Sequence, residues 1–205
     1  MQNLTTLFNA AFAALGDEIL ISDALTDTSR KAVIARTRWP VLSDALLRSH
    51  PWNCAIKLKT LAPDQTAPDW GYEHYFTWPS DPYCLRILRL ETRGLPFQIE
   101  GRKIAANSSE LGMMFIGRIP VDEFDSMLFE VSVDILAAEL ALPLTGKADF
   151  RKTLLDGVYA AGGKLSWARG IDGQEGSTKV SANRPLIDVR GGRGSTAGPI
   201  EWMNR

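Results

Sequence analysis

"LLRSHPWNCAIKL", residues 46–58, contains the point at which the chain changes its hydrophobic period. Upstream, Ala32, Ala35, Trp39, Leu42 and Leu46 recur at steps of three and four, the spacing of a helix packed along one seam. Pro51 pushes the residue before it out of helical geometry, so this helix is expected to stop at Ser49 or His50. From Trp52 onward the period becomes two. Trp52, Cys54, Ile56 and Leu58 then face one way, and Asn53, Ala55, Lys57 and Lys59 the other, as in a half-buried strand. The stretch supports two readings: a metal or thiol centre made by His50 and Cys54, or an architectural joint in which Pro51 and Trp52 anchor the change of structure.

Working outward, the helix seam extends back to an N-cap at Asp27 or Thr28, and Pro40 inside it predicts a kink. An earlier short helix carries Leu4, Leu7, Phe8, Ala11, Phe12 and Leu15 on one face, with Gly16 placed to cap its C-terminus. Downstream of the joint, strand-like runs cover residues 72–78, 84–91, 97–105 with a turn at Glu100-Gly101, and 111–117. "PSDPY" (79–83) separates two of them with turn chemistry. Helical spacing returns after Pro120 with Phe124, Leu128, Val131, Ile135, Ala138 and Leu142, expected to end before Pro143. A last helix from about Ala148 presents Phe150, Leu154, Val158, Ala161, Leu165 and Ala168, weakened by Gly157, Gly162 and Gly163.

The expected fold is therefore mainly α with a β insertion, an α+β protein. Residues 1–50 and 120–169 form a helical bundle, 51–119 an antiparallel β insertion, and 170–205 an extended C-terminal arm. The arm has seven glycines and no periodicity, so it cannot by itself bury enough surface to offset its ordering entropy. It nevertheless carries apolar residues suited to gripping a neighbour. Leu186, Ile187 and Arg190 lie in a short strand-like run, and Ile200, Trp202 and Met203 lie near the end.

A net charge of -1 argues against a free nucleic-acid binder. Cys54 and Cys84 show no paired spacing and suit a reducing compartment. The N-terminal apolar run lacks a basic start and is broken by Thr5, Thr6 and Asn9, so neither a signal peptide nor a membrane span is expected. His50, His74, Cys54 and Cys84 are the whole His and Cys complement, and they lack zinc-site spacing. No cofactor or metal is expected. Catalytic residues are likewise expected to be none, since Asp122, Glu123 and Asp125 stand where acids favour a helix N-terminus.

Several blocks resemble a known family. Leu15-Gly16, Ile19, Ala32, Leu46, Pro51-Trp52-Asn53 and Ala55 are similar to the opening of phage head-to-tail adaptor (connector) proteins of the tail tubular protein A type, which read "PWNFA" where this chain has "PWNCA". "YFTWPSDPYCLRIL" (75–88), "PFQIEGRKIAAN" (96–107) and "LAAELALPLTG" (136–146) resemble later blocks of that family, in the same order. The resemblance spans roughly residues 4–168. It implies a structural protein of the virion, assembled in the host cytoplasm as a ring of twelve copies under the portal protein. Such a ring would extend the DNA channel, touch genomic DNA without sequence preference, and receive a tail tube or nozzle protein, without contact to a membrane. The alternative is a tail-associated cell-wall hydrolase using paired carboxylates such as Glu18, Glu73, Glu100 or Glu110.

Overall fold

The computed structural model describes residues 2–92 and 94–175. The predicted arm residues Leu186, Ile187, Arg190, Ile200, Trp202 and Met203 lie outside them. Two helices open the chain, α1 (Leu4–Ala14) and α2 (Arg30–Ser49). Six strands follow: β1 (Ile56–Leu61), β2 (His74–Thr77), β3 (Cys84–Leu90), β4 (Phe97–Glu100), β5 (Lys103–Ala106) and β6 (Leu111–Gly117). Three helices close it, α3 (Ser126–Thr145), α4 (Ala148–Tyr159) and α5 (Lys164–Gln174). The protein is α+β.

α1 starts at a reciprocal cap. Asn3 Oδ1 accepts from Thr6 N at 2.8 Å, and Thr6 Oγ1 accepts from Asn3 N at 2.9 Å, so two orphan donors of the first turn are satisfied. The helix ends as expected at Gly16, whose φ of +82° is open to glycine at little cost. The polar residues that interrupt its apolar run have a task. Asn9 makes two hydrogen bonds to the backbone of Ile21, and Thr5 accepts from Ala24 N. They pin the following loop onto the helix.

α3 is the hub. Its buried residues include Leu128, Val131, Val133, Leu136, Ala137 and Leu140, more than one stripe can hold, because α1, α2, α4 and α5 all pack against it. This corrects the single seam expected there, and Leu142, assigned to that seam, is 49% exposed. α3 also continues past Pro143 to a left-handed Gly146. A proline in the final turn removes one N–H, and Thr145 Oγ1, bonding the Ala141 carbonyl at 2.6 Å, holds that turn together.

α2 passes through Pro40 as one continuous helix, and Ser29 takes the N-cap position expected of Asp27 or Thr28. The last predicted helix is two. Gly162 at φ +78° turns the chain, and a Cβ on Gly163 would lie 2.7–2.9 Å from the carbonyls of Val158, Gly157 and Ala160. Glycines expected only to weaken the helix therefore separate α4 from α5. α5 in turn runs to Gln174, beyond the expected end of the bundle at residue 169.

The strands form two antiparallel three-stranded sheets, in the orders β1-β6-β3 and β2-β5-β4. β6 is central in the first and shared between two cores. Leu111, Met113 and Phe115 enter a core with Phe76 of β2 and Ile104 and Ala106 of β5, whereas Ile116 enters the helical core. β3 repeats this division, with Cys84 in the sheet core and Leu85 in the helical one. The period of two thus sends neighbouring residues to different cores.

Candidate functional site: the helix-to-strand joint and its clasp

The joint is held by residues more than a hundred positions apart in the chain. α2 stops at Ser49, and His50 is extended at φ -143°, the geometry that Pro51 demands. Trp52 is fully buried and its indole N–H donates to the Leu46 carbonyl at 3.1 Å. The His50 ring stands edge-on to Trp52 at 4.6 Å. Pro51 is exposed, so the anchoring falls to Trp52 alone.

Asp172 of α5 closes the arrangement. Its carboxylate meets His50 Nε2 at 2.8 Å and accepts from Asn53 N at 2.8 Å, while its carbonyl accepts from Asn53 Nδ2 at 2.5 Å. Arg169, one turn earlier, donates to Ser49 Oγ at 3.0 Å. Asp172 is 6% exposed, and a carboxylate at that depth is stable only when hydrogen-bonded in this way. Asp172 is absent from the expected site residues, although its signal is legible. Leu165, Ala168 and Asp172 share one helical stripe, so the acid had to be buried with the leucine and alanine.

This clasp also corrects the expected start of the first strand. With Asn53 held by Asp172, residues Asn53–Ala55 form a 3-10 turn closed by Ala55 N on the Trp52 carbonyl at 2.9 Å. β1 therefore begins at Ile56. Ala55, expected to face outward, is buried, and Leu58, expected inside, is 74% exposed.

The chemistry at the joint is quiet. Burial raises the Cys54 thiol above its ordinary pKa, and its Sγ lies 3.9 Å from Asp125 Oδ2. Burial pushes Cys84 up to about 11. Both shifts disfavour the thiolate that nucleophilic work requires. Both carboxylate oxygens of Asp172 are spent within the clasp. Among the described residues no group of three His, Cys, Asp or Glu side chains is placed to hold a metal ion. Of the acidic residues named above, Asp125 caps α3 by accepting from Met127 N and Leu128 N, Glu123 pairs with Lys57 at 3.1 Å, and Glu100 accepts from Tyr75.

What the surface offers instead is apolar. Val33 and Val41 lie exposed along α2, Tyr159 and Trp167 on α4 and α5, Leu58 on edge strand β1, and Phe97 and Ile99 on edge strand β4. No protein-family model matches the chain, and no curated protein matches it. No helix of the described residues is long and apolar enough to cross a membrane.

Proposed function

We propose that the chain is a structural head-to-tail adaptor of a tailed bacteriophage, a ring-forming subunit that docks under the portal and presents a surface to the tail. The resemblance of its sequence blocks to the tail tubular protein A type supplies the family. The observation that carries the reading is the exposure of large apolar side chains on both the helical elements and the sheet edges. Head-to-tail assembly into a closed ring needs two different faces on each subunit, one donating and one receiving. A subunit with one such face would stop at a dimer.

The joint has a mechanical role in this reading. Trp52 and the Asp172 clasp tie α2, β1 and α5 together, so a load on the sheets passes to the bundle. The fixed connection between the two cores suits a part that transmits force and performs no reaction. The ring would hold DNA loosely, since the near-neutral chain offers few phosphate contacts to restrain it. The part of the predicted arm that follows α5 would supply the grip on the portal or on the next subunit through Ile200, Trp202 and Met203.

Light scattering on the purified chain, alone and mixed with the portal protein of its phage, tests this directly. A ring on the order of twelve copies, or co-migration with the portal, is the expected result. A chain that stays monomeric at high concentration and ignores the portal would overturn the reading. Release of reducing sugars or peptides from purified cell wall would favour the hydrolase instead.

A further inference from the structure

Three arginines meet in a cleft that neither the joint nor the ring requires. The cleft, about 260 Å³, lies between α2 and the start of β3 and is lined by Asp44, Arg48, Trp78, Tyr83, Arg102 and Arg118 among others. The Tyr83 ring carries two guanidinium groups, Arg102 at 3.9 Å and Arg118 at 4.5 Å from its centre. Arg102 also lies 5.3 Å from the centre of the Trp78 ring.

Arg118 is neutralised by Asp44, which it meets through Nε at 2.7 Å and through Nη2. The other two are not. Arg102 donates to the carbonyls of Cys84 and Pro79, at 3.1 and 3.2 Å, and Arg48 to the carbonyl of Leu85, at 2.8 Å. Carbonyls orient a guanidinium without cancelling its charge. Neither Arg48 nor Arg102 has a carboxylate partner among the described residues. Each keeps unused N–H donors, since a guanidinium has five. The fold has thus oriented two uncompensated cations into one cleft with an aromatic wall, where an arriving anion would be attracted to both.

The cleft continues into a second one of about 540 Å³, which shares Tyr83 and Arg118 and adds Pro82, Ile119 and Pro120 along with Asp81 and Glu123. Along the rest of the combined groove Asp44 is paired with Arg118 and Glu123 with Lys57, and Asp81 has no cationic side-chain partner among the described residues, so a run of phosphates would extend past the two free arginines toward uncompensated negative charge. A polypeptide with one acidic residue and apolar neighbours meets no such opposition, because its charge is confined to one point. We infer that this groove receives an extended polypeptide and seats one of its carboxylates between Arg48 and Arg102. The inference is independent of the adaptor reading, because it rests on the charge balance of the groove alone.

The test is an NMR titration of the full isotope-labelled chain. Probes are N-acetyl-glutamate N-methylamide, its glutamine counterpart, a peptide of residues 197–205 whose acid is Glu201, inorganic phosphate and a short DNA duplex. The glutamate probe should saturate and shift the Arg48, Tyr83 and Arg102 signals, at least about tenfold more tightly than the glutamine probe, the size expected for a charge-assisted hydrogen bond. Added salt should weaken it. Arg48→Met should lower the affinity about tenfold, and because it also removes the bond to the Leu85 carbonyl, its affinity is read well below its own melting transition. Tighter binding of the 197–205 peptide than of the glutamate probe would assign the source to a second copy of this chain. Weaker binding would assign it to a foreign partner. Equal binding of the glutamate and glutamine probes, tighter binding of phosphate or DNA than of glutamate, or no saturable shift would each overturn the inference.

Discussion

The two cores are built in opposite ways. The sheet core is local: Leu61, Phe76, Cys84, Ile104, Ala106, Leu111, Met113 and Phe115 all come from one continuous stretch of chain. The helical core is remote, joining Leu7, Phe8 and Phe12 of α1 to Leu128, Val131 and Leu136 of α3 and to Leu165 and Ala168 of α5. They meet at β3 and β6, where Cys84 and Phe115 point into one core and Leu85 and Ile116 into the other. A local core closes small loops at little entropic cost, whereas a remote one must close large loops before any contact rewards it. Size compensates for this: the helical core contains most of the large buried side chains among the described residues.

The strongest way to break the comparison is to remove the largest fully buried side chain of the helical core, at the joint where the chain passes from helix to strand. Trp52→Ala should cost about 3–5 kcal/mol, visible as a large drop in melting temperature, and both cores should lose stability together. An unchanged midpoint would mean that the joint couples nothing. Met113→Ala acts on one side only. It should cost about 2–4 kcal/mol and speed amide hydrogen exchange in β2, β5 and β6, with little change in α1 and α3. Equal acceleration in α1 would show that the two cores open as one unit.

Asp172→Ala sharpens the contrast at the other end of the chain. It leaves Asn53 N and the His50 ring without their acceptor, a loss of about 2–3 kcal/mol for a charged partner. Hydrogen exchange should quicken first in α5 and in the turn at Asn53–Ala55. The smallest effect concerns Glu139, which bonds Arg38 at 2.7 Å and Arg151 at 2.8 Å. Burial acts to raise its carboxyl, but the two arginines more than offset this and hold it below the usual range. A folded-state value depressed below the unfolded one stabilises the protein above the unfolded pKa, and this contribution fades as pH falls through the folded value. Glu139→Gln should therefore lower stability by about 1 kcal/mol near pH 7. The gap to the wild type should close below about pH 4, in melts recorded from pH 3 to 7.

Much of this was readable from side-chain spacing. The seam Ala32, Ala35, Trp39 and Leu46 is buried, β6 has its expected ends, and the turn between β4 and β5 falls beside Gly101. These succeed because each depends on near neighbours in the chain. The failures share a different cause. Alternation counted from Trp52 puts Leu58 inside, but Asp172, more than a hundred residues away, imposes the turn that resets the phase. The many-sided burial of α3 depends on four partners that no local window contains. At the joint Trp52 is buried as its alternation implies, while Asp172, which clasps it, lies in residues expected to begin an extended arm and found in α5.

The central position of α3 has a consequence for how the protein is made. α1 and α2 both pack on α3 and hardly on each other, yet α3 begins at Ser126, long after α2 ends at Ser49. At typical rates of synthesis, ~5–20 residues per second, roughly 4–15 s separate the two events on the ribosome. During that interval Leu7, Phe8, Phe12 and Trp39 have emerged without the helix that covers them, while the strands between can already pair. Vectorial synthesis thus imposes an order, sheets before bundle. A nascent chain stalled before Ser126 would be a target for chaperones that bind exposed apolar helices.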